Sequence, residues 1–339
     1  MVSREHEVGW PAAARNIRYA VRGAIAAVAC AGLSASACAQ DFPIKPIRLV
    51  VPVPPGGGAD FVARSYAMQL TKAFGQQVVV DNRGGAAGII AMDAVAKAPP
   101  DGYTLIQTNI STVSINPFMY EKLPYDARRD FAPVSITTLN PLLFVVHPGV
   151  PARSVRELVA LAKGRPGQLA YGSLGSGSIQ HLAGHMFAKE AGITLVHVPY
   201  KGAAPVTVDL LAAQVQMAFS GVGTVAAHVK AGRVIALAVT STRRMEYFSD
   251  VPTFQESGMT TMGISLWNGI LAPARTPAAV IQRLNAEIRK AAASPELLQA
   301  LSTQATSAVS NTPDEFAAFI RAEQARYAGI VRESGVRAD

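Results

Sequence analysis

The sequence predicts an α/β protein built as two αβ lobes with a ligand cleft between them and two hinge crossings. Three observations carry this. Short β-branched runs alternate with amphipathic helical runs from residue 47 onward, and they do so in two successive sets. Three strongly signalled helices follow the second set without strands of their own. Strand–helix–strand alternation argues for parallel sheets flanked by helices. A chain of 339 residues, half of them hydrophobic and 16% charged, also exceeds what one compact core ordinarily serves.

Residues 1–39 read as a secretion signal. Arg15, Arg18 and Arg22 form a positive segment, small apolar residues run from Gly23 to Ala37, and Ala37-Cys38-Ala39 is a cleavage site of the A-x-A type. The run is short and poor in Leu, which argues against a permanent membrane anchor. Both cysteines, Cys30 and Cys38, lie inside this leader, so cleavage after Ala39 leaves no thiol chemistry. Cys38 as a lipid-attachment site is the minor reading. The expected localisation is periplasmic.

The first set opens with a strand at Ile47–Val53 and a helix over Asp60–Phe74, whose apolar residues Phe61, Val62 and Leu70 keep a helical period. Strands at Gln77–Val80 and Tyr103–Ile106 flank a helix over Ala91–Ala98. The second set follows an apolar run at Leu139–His147. Ser154 to Glu157 form a capping box that opens a helix ending near Gly164. Strands at Leu169–Tyr171, Leu195–Val198, Met217–Phe219 and Ile235–Val239 alternate with helices over Ser178–Ala191, Pro205–Ala213 and Thr224–Ala231.

Three helices close the chain. Thr276-Pro277, Ser294-Pro295 and Thr312-Pro313 each pair a capping residue with Pro at the first helical position, and Glu315 completes a capping box for the last. These helices need a sheet to cover, and the first set has the free surface. The chain is therefore expected to cross back, with crossings near 140–145 and 263–270. Lobe 1 becomes 40–142 with 265–339, and lobe 2 becomes 143–264. Two connections at the base of a cleft permit hinge closure.

Glycine-rich turns between a strand and a helix are the candidate sites. Pro54-Pro55-Gly56-Gly57-Gly58-Ala59-Asp60 offers uncovered backbone N–H groups beside a positive helix start, an anion site that needs no cationic side chain. Asp60 is placed as the helix N-cap and is counted among the ligand-binding positions of this turn. Tyr171-Gly172-Ser173-Leu174-Gly175-Ser176-Gly177-Ser178 repeats the arrangement, with Ser178 as N-cap. Tyr200-Lys201-Gly202-Ala203 is a third such turn, where Lys201 either lines the rim or is simply solvated. In each case the alternative is an ordinary βα turn. Trp267 at the return crossing either stacks on a ligand or fills the hinge core.

Other chemistries find little support. The net charge of +8 is scattered, without the clustered patch and interleaved aromatics that nucleic-acid binding requires, and suits attraction of small anions. There is no nucleophile elbow, no phosphate-binding P-loop and no dinucleotide fingerprint. His181 and His185 stand four apart on a helix but lack the glutamate of H-E-x-x-H, so no metal and no cofactor is implied.

The quoted residues resemble a known family. Pro46-Ile47-Arg48-Leu49-Val50-Val51-Pro52 leading into Pro55–Asp60 is similar to the substrate-binding receptors of tripartite tricarboxylate transporters, the Bug receptors. Val80-Asp81-Asn82-Arg83, Ala98–Leu105, Leu123-Pro124-Tyr125-Asp126, Tyr171-Gly172-Ser173, Gln180–Gly184, His197–Gly202 and Asp250-Val251-Pro252-Thr253 match as well, in order along the whole chain. The resemblance implies a type II periplasmic-binding-protein fold of the Venus flytrap kind and a small carboxylated ligand. A monomer that catalyses nothing and works with membrane transporter subunits is expected, with a sensor protein as the alternative partner. A secreted hydrolase is the remaining alternative, against which stands the lack of any nucleophile–base pair at a readable spacing. By the same resemblance, Pro55, Gly56, Gly57, Gly58, Asn109, Ser111, Ser173, Gly175, Ser176, Gly177, Ser178, Tyr200, Lys201, Gly202 and Ala203 are ligand-binding positions. One departure stands out: many family members carry Asp where this chain has Ser220. Without that carboxylate the ligand is expected to lack an α-amino group, as a di- or tricarboxylate or an aromatic acid does.

Overall fold

In the computed structural model, β-branched runs become strands where both faces are covered. β1 (Ile47–Val51) is almost wholly buried and lies between two parallel neighbours, β2 (Val78–Asn82) and β3 (Thr104–Asn109). The structure describes residues 42–304 and 306–335. The proposed secretion signal and lipid-attachment residue therefore lie outside the described residues. The chain divides into two units, Met1–Ile44 and Lys45–Asp339, and the strands and helices of the described residues belong to the second.

Each parallel crossover carries a helix. α1 (Gly58–Phe74) follows β1 and ends on Gly75 in the left-handed region, and α2 (Ile89–Ala96) follows β2. A π-helical turn at Ser111–Ile115 and the short α3 (Asn116–Met119) follow β3.

β4 (Phe131–Val146) changes partners along its length. Phe131–Pro141 pairs antiparallel with β9 (Ser265–Pro273), which also pairs antiparallel with β3. Leu142–Val146 pairs instead with β7 (Met217–Gly221) and β8 (Ile235–Val239). The nine strands thus run β2-β1-β3-β9-β4-β7-β5-β6, with β8 branching from β4. β5 (Ala170–Ser173) lies parallel to both β6 (Val196–Pro199) and β7. β4 and β9 are the two strands at the change of partners, and the chain returns to the first sheet as its last three helices require.

Helices α4 (Val155–Gly164), α5 (Ile179–Ala191), α6 (Ala203–Leu211) and α7 (Val222–Lys230) serve the second sheet. α8 (Ala278–Ala292), α9 (Pro295–Ser302) and α10 (Pro313–Ser334) complete the chain. Buried side chains dock two of them: Asn285 Nδ2 donates to Val134 O of β4 at 2.8 Å, and Gln324 Nε2 donates to Val113 O of the π-helical turn after β3 at 2.8 Å. Gly269 lets α10 approach β9 closely, since a Cβ there would stand 2.2 Å from Phe316 Cζ.

Caps confirm four of the expected helix starts and correct three others. Ser154, Ser178, Ser294 and the full Thr312–Glu315 capping box are present; the box expected at Ser154 is not closed, since Glu157 accepts from Arg153 N instead. Thr276 is not a cap: its hydroxyl donates to Pro273 O, and the helix starts at Ala278 after Pro277. α6 begins two residues before Pro205, with Gly202 as its N-cap at a φ of 111° that a residue with a Cβ rarely adopts. α1 likewise begins at Gly58, which moves Asp60 inside the helix.

Candidate functional site

Parallel strands deliver their C-terminal ends to one edge of a sheet, where the following loops gather. In the first sheet those ends are Val51, Asn82 and Asn109. The first bend, Pro54–Gly58, is exposed. Gly56 has φ +89°, and Gly57 is the N-cap of α1 in an extended conformation with no side-chain cap. The amides of Gly57, Gly58 and Ala59 are thus orphan donors of a 17-residue helix, with the positive end of its dipole behind them.

Asp60, placed as N-cap from sequence, is at the third helical position and only 4% exposed. Its carboxylate accepts from the Gly56 amide (2.9 Å), Arg64 Nε (3.0 Å) and Asn82 Nδ2 (2.8 Å). Burial opposes its charge, but the Arg64, Gly56 and Asn82 bonds outweigh that and hold its pKa below the usual carboxylate value. Arg64 is thereby tied to Asp60 and Asn82, and Arg83 to Asp81. The cations beside the bend are already paired, so its free positive character is that of the backbone.

Asn109 caps the turn after β3, its Oδ1 accepting from the amides of Ser111 (3.0 Å) and Thr112 (3.1 Å). Between β2 and α2 lies a segment that sequence reasoning did not single out, Gly84–Gly88. Ala86 and Ala87 both adopt left-handed φ, at 44° and 51°, a strained conformation for residues with a Cβ. The segment packs against the first bend and the Asn109 turn: a Cβ on Gly84 would meet Pro54 Cδ at 2.9 Å, and one on Gly88 would meet Thr112 Cγ2 at 2.6 Å. Three glycines directly after a strand were the available signal.

In the second sheet, β5, β6 and β7 deliver the second bend, the Tyr200 turn and Ser220 to one edge. Tyr200 N donates to Ser173 O at 3.0 Å, which joins the first two. Ser178 caps α5, its hydroxyl accepting from His181 N at 3.2 Å, as expected. The rest of the bend is turned inward. Ser173 is fully buried, and its Oγ lies 2.6 Å from His197 Nε2 while also bonding Gly175 N and O. Gly177 N donates to His181 Nδ1 at 3.1 Å, and Ser178 N and Oγ both donate to Gly175 O. Of Ser173 to Ser178 only Ser176 is exposed. His197 is the second residue of β6, and its partners, His181 and Ser173, lie far off in sequence and left no signal there.

Tyr200 Oη donates to Asp209 Oδ2 at 2.7 Å; burial and that carboxylate push its pKa up to about 12. Lys201 is exposed, and Gly202 is the N-cap of α6, ahead of its first residue Ala203. Ser220 is 6% exposed and pairs with Leu143. Trp267 does not lie at a surface. It is 1% exposed, its indole N–H donates to Glu323 Oε2 at 3.1 Å, and its ring meets Phe316 and Phe319 edge-on. Its inclusion among ligand-binding residues is corrected by this packing, and the core-filling alternative stands. Among the described residues, no hydrogen bond ties the first bend to the second. The site therefore consists of two separate groups of loops, each at a sheet edge.

Known proteins are similar to this chain in sequence and in fold. The model of the tripartite tricarboxylate transporter family receptor matches residues 62–336. A protein of Pseudomonas sp. (strain P51), named for the tcbD-tcbE intergenic region, is 38% identical over 322 residues, 94% of this chain and 96% of its own. Protein BugT of Bordetella pertussis is 37% identical, covering 91% of this chain and 95% of its own. Among solved structures, R. palustris Rpa4515 with adipate superposes with TM-score 0.76 at 32% identity, over 87% of this chain and 99% of that one. The periplasmic binding protein BugD gives 0.72 at 30% identity, over 88% and 100%. MatC from Rhodopseudomonas palustris with bound malate gives 0.72 at 27%, over 86% and 100%.

Proposed function

This chain belongs to the tripartite tricarboxylate transporter receptor family, and from that premise we propose that it is an exported periplasmic receptor. It captures a small carboxylate and delivers it to a membrane transporter. The proposed architecture is two lobes, 40–142 with 265–339 and 143–264, closing on the ligand about the β4 and β9 crossings. Ligand contacts are assigned to Pro55–Gly58, Asn109 and Ser111 on one side, and to Ser176, Ser178, the Tyr200–Ala203 turn and Ser220 on the other. No step of catalysis is assigned to any of them.

The observation that carries this reading is the first bend. Orphan helix amides stand exposed where both neighbouring arginines are already neutralised by carboxylates. Such a site takes an anion through backbone donors. The adipate and malate held by the two R. palustris relatives support a carboxylate as that anion. Ser220 supplies a hydroxyl where an ammonium group would want a carboxylate, which supports a ligand without an α-amino group.

A thermal-shift screen of the mature protein against di-, tri- and aromatic carboxylates tests the reading. A binder at 100 times its dissociation constant should stabilise by about 2.7 kcal/mol. A library without any stabilising carboxylate would defeat it. Calorimetry adds the finer test: tighter binding of glutamate or aspartate than of every plain carboxylate would overturn the role given to Ser220. Large and small membrane subunits encoded beside this chain would favour transport over partnership with a sensor.

A further inference from the structure

The imidazoles of His181 and His197 stack face to face beside the second bend, with centroids 3.7 Å apart and planes 6° from parallel. Tyr171 closes the stack, 5.1 Å from His197 and 6.5 Å from His181. The pair comes from different elements, α5 and β6, and each ring holds a different part of the bend. His181 Nδ1 accepts the Gly177 amide. His197 Nε2 pairs with Ser173 Oγ, the atom that accepts the Gly175 amide. Both amides of the glycines that flank Ser176 therefore end on this imidazole network.

An imidazole nitrogen accepts a hydrogen bond only while it carries no proton. His181 must therefore be neutral, with Nδ1 bare, for the Gly177 bond to exist. The surroundings enforce that state. Burial, then the neighbouring His197 and His185, hold the His181 pKa down to about 4, and burial lowers that of His197. The groups facing His181 are Tyr171 from β5, His197 from β6 and His185 one turn further along α5. Lys189 and Glu333 bear on His185 and are paired with each other. Among the described residues, none of the groups acting on His181 is a carboxylate that would favour its imidazolium.

We propose that His181 and His197 are positioning residues for carboxylate capture: as an uncharged stacked pair they hold Gly175–Ser178 in the shape that offers Ser176 and the start of α5 to the ligand. This rests on the receptor reading of the chain. The pair works through the bend and need not touch the ligand. Charging His181 breaks its hold, because Nδ1 is then no longer an acceptor for the Gly177 amide, and a second charge on His197 at stacking distance would repel it. Carboxylate binding should then fall with acidification in step with the histidines.

The test separates the bend from the ligand. In the unliganded mature protein, imidazole 15N shifts should show a bare, hydrogen-bonded Nδ1 on His181 down to well below pH 6. Amide exchange at Gly177 should rise roughly tenfold in His181→Leu at a fixed neutral pH, the effect of one lost hydrogen bond. His181→Asn keeps an uncharged acceptor near the position of Nδ1 and should retain the protection. Titration at ordinary histidine pH in the wild-type protein, or unchanged exchange in a folded His181→Leu, would overturn the proposal, and the wild-type arm stands even if that variant misfolds. Adipate and malate then serve as binding probes. Affinity should drop roughly tenfold in His181→Leu and stay near wild type in His181→Asn, with a flatter acid limb. Affinity that rises as pH falls toward 4 would also overturn the proposal, since the imidazolium itself would then be the anion's partner. Failure of every carboxylate to bind the wild-type protein would defeat the receptor reading alone, because the nitrogen and exchange measurements need no ligand.

Discussion

The two glycine-rich bends look alike in sequence and behave differently in the structure. The first, Pro54–Gly58, faces outward, with the amides of Gly57, Gly58 and Ala59 uncapped at the head of a long helix. The second, Leu174–Ser178, is folded onto itself, with the amides of Gly175, Gly177 and Ser178 committed to Ser173, His181 and the Gly175 carbonyl. Glycine thus serves opposite ends. In one bend it leaves donors bare; in the other its positive φ lets the chain turn back on its own side chains. The difference traces to what lies behind each loop. Asp60 holds the first by a single amide, that of Gly56, whereas a serine and two histidines hold the second at several points.

The largest expected effect breaks the anchor of the first bend. Asp60→Ala leaves Arg64, Asn82 and the Gly56 amide without their common acceptor and should cost about 2–3 kcal/mol in urea unfolding. A loss below half that would mean water takes over the carboxylate's place. Gly184→Ala attacks the scaffold of the second bend, since its Cβ would stand 2.1 Å from Tyr171 Cε2. Overpacking there should cost about 1–3 kcal/mol by the same measurement.

Acid should act on the second bend before the first. His181, His185 and His197 all have lowered pKa values in the folded chain. The unfolded chain therefore binds more protons between about pH 6.5 and 4, so their contribution is intact above 6.5 and is lost as pH falls through the folded values. Asp60 and Asp81, also lowered, begin to lose theirs only as pH falls into the ordinary carboxylate range and on toward their folded values. Stability that stays flat from pH 7 to 4.5 would show that the histidines contribute nothing to it.

The smallest effects separate backbone from side chain in ligand capture. Gly57 has a negative φ, and a Cβ placed on it would meet no atom within 4 Å, so Gly57→Val should change stability by no more than about 0.5 kcal/mol while weakening carboxylate binding. Lys201→Ala, at an exposed position, should weaken binding less. Calorimetry showing equal or reversed losses would move the anion site from the amides to the lysine.

Much of the fold was legible because its signals are local. Strand–helix alternation, the Ser154, Ser294 and Thr312 caps and the Pro residues behind the latter two each depend on a few adjacent residues. The Asp60, Thr276 and Pro205 starts were misplaced because glycine or proline backbone geometry shifted the start of the helix by one to three positions. In the site, Ser178 as a cap was readable. The Gly84–Gly88 segment carried the same strand–glycine signal as the other bends but gains meaning only from its approach to Pro54 and Thr112.

The sequence by itself determined the family, the α/β class, the return of the last helices to the first sheet and the glycine bends between strands and helices. The family follows from its resemblance in motifs matched in order along the chain, and the rest from periodicity and from backbone propensities that need no distant partner. Tertiary structure alone decided that β4 serves both sheets, that Trp267 is core, and that His181 lies against His197. Those outcomes turn on contacts between residues far apart in the chain, and only packing brings such residues within bonding distance.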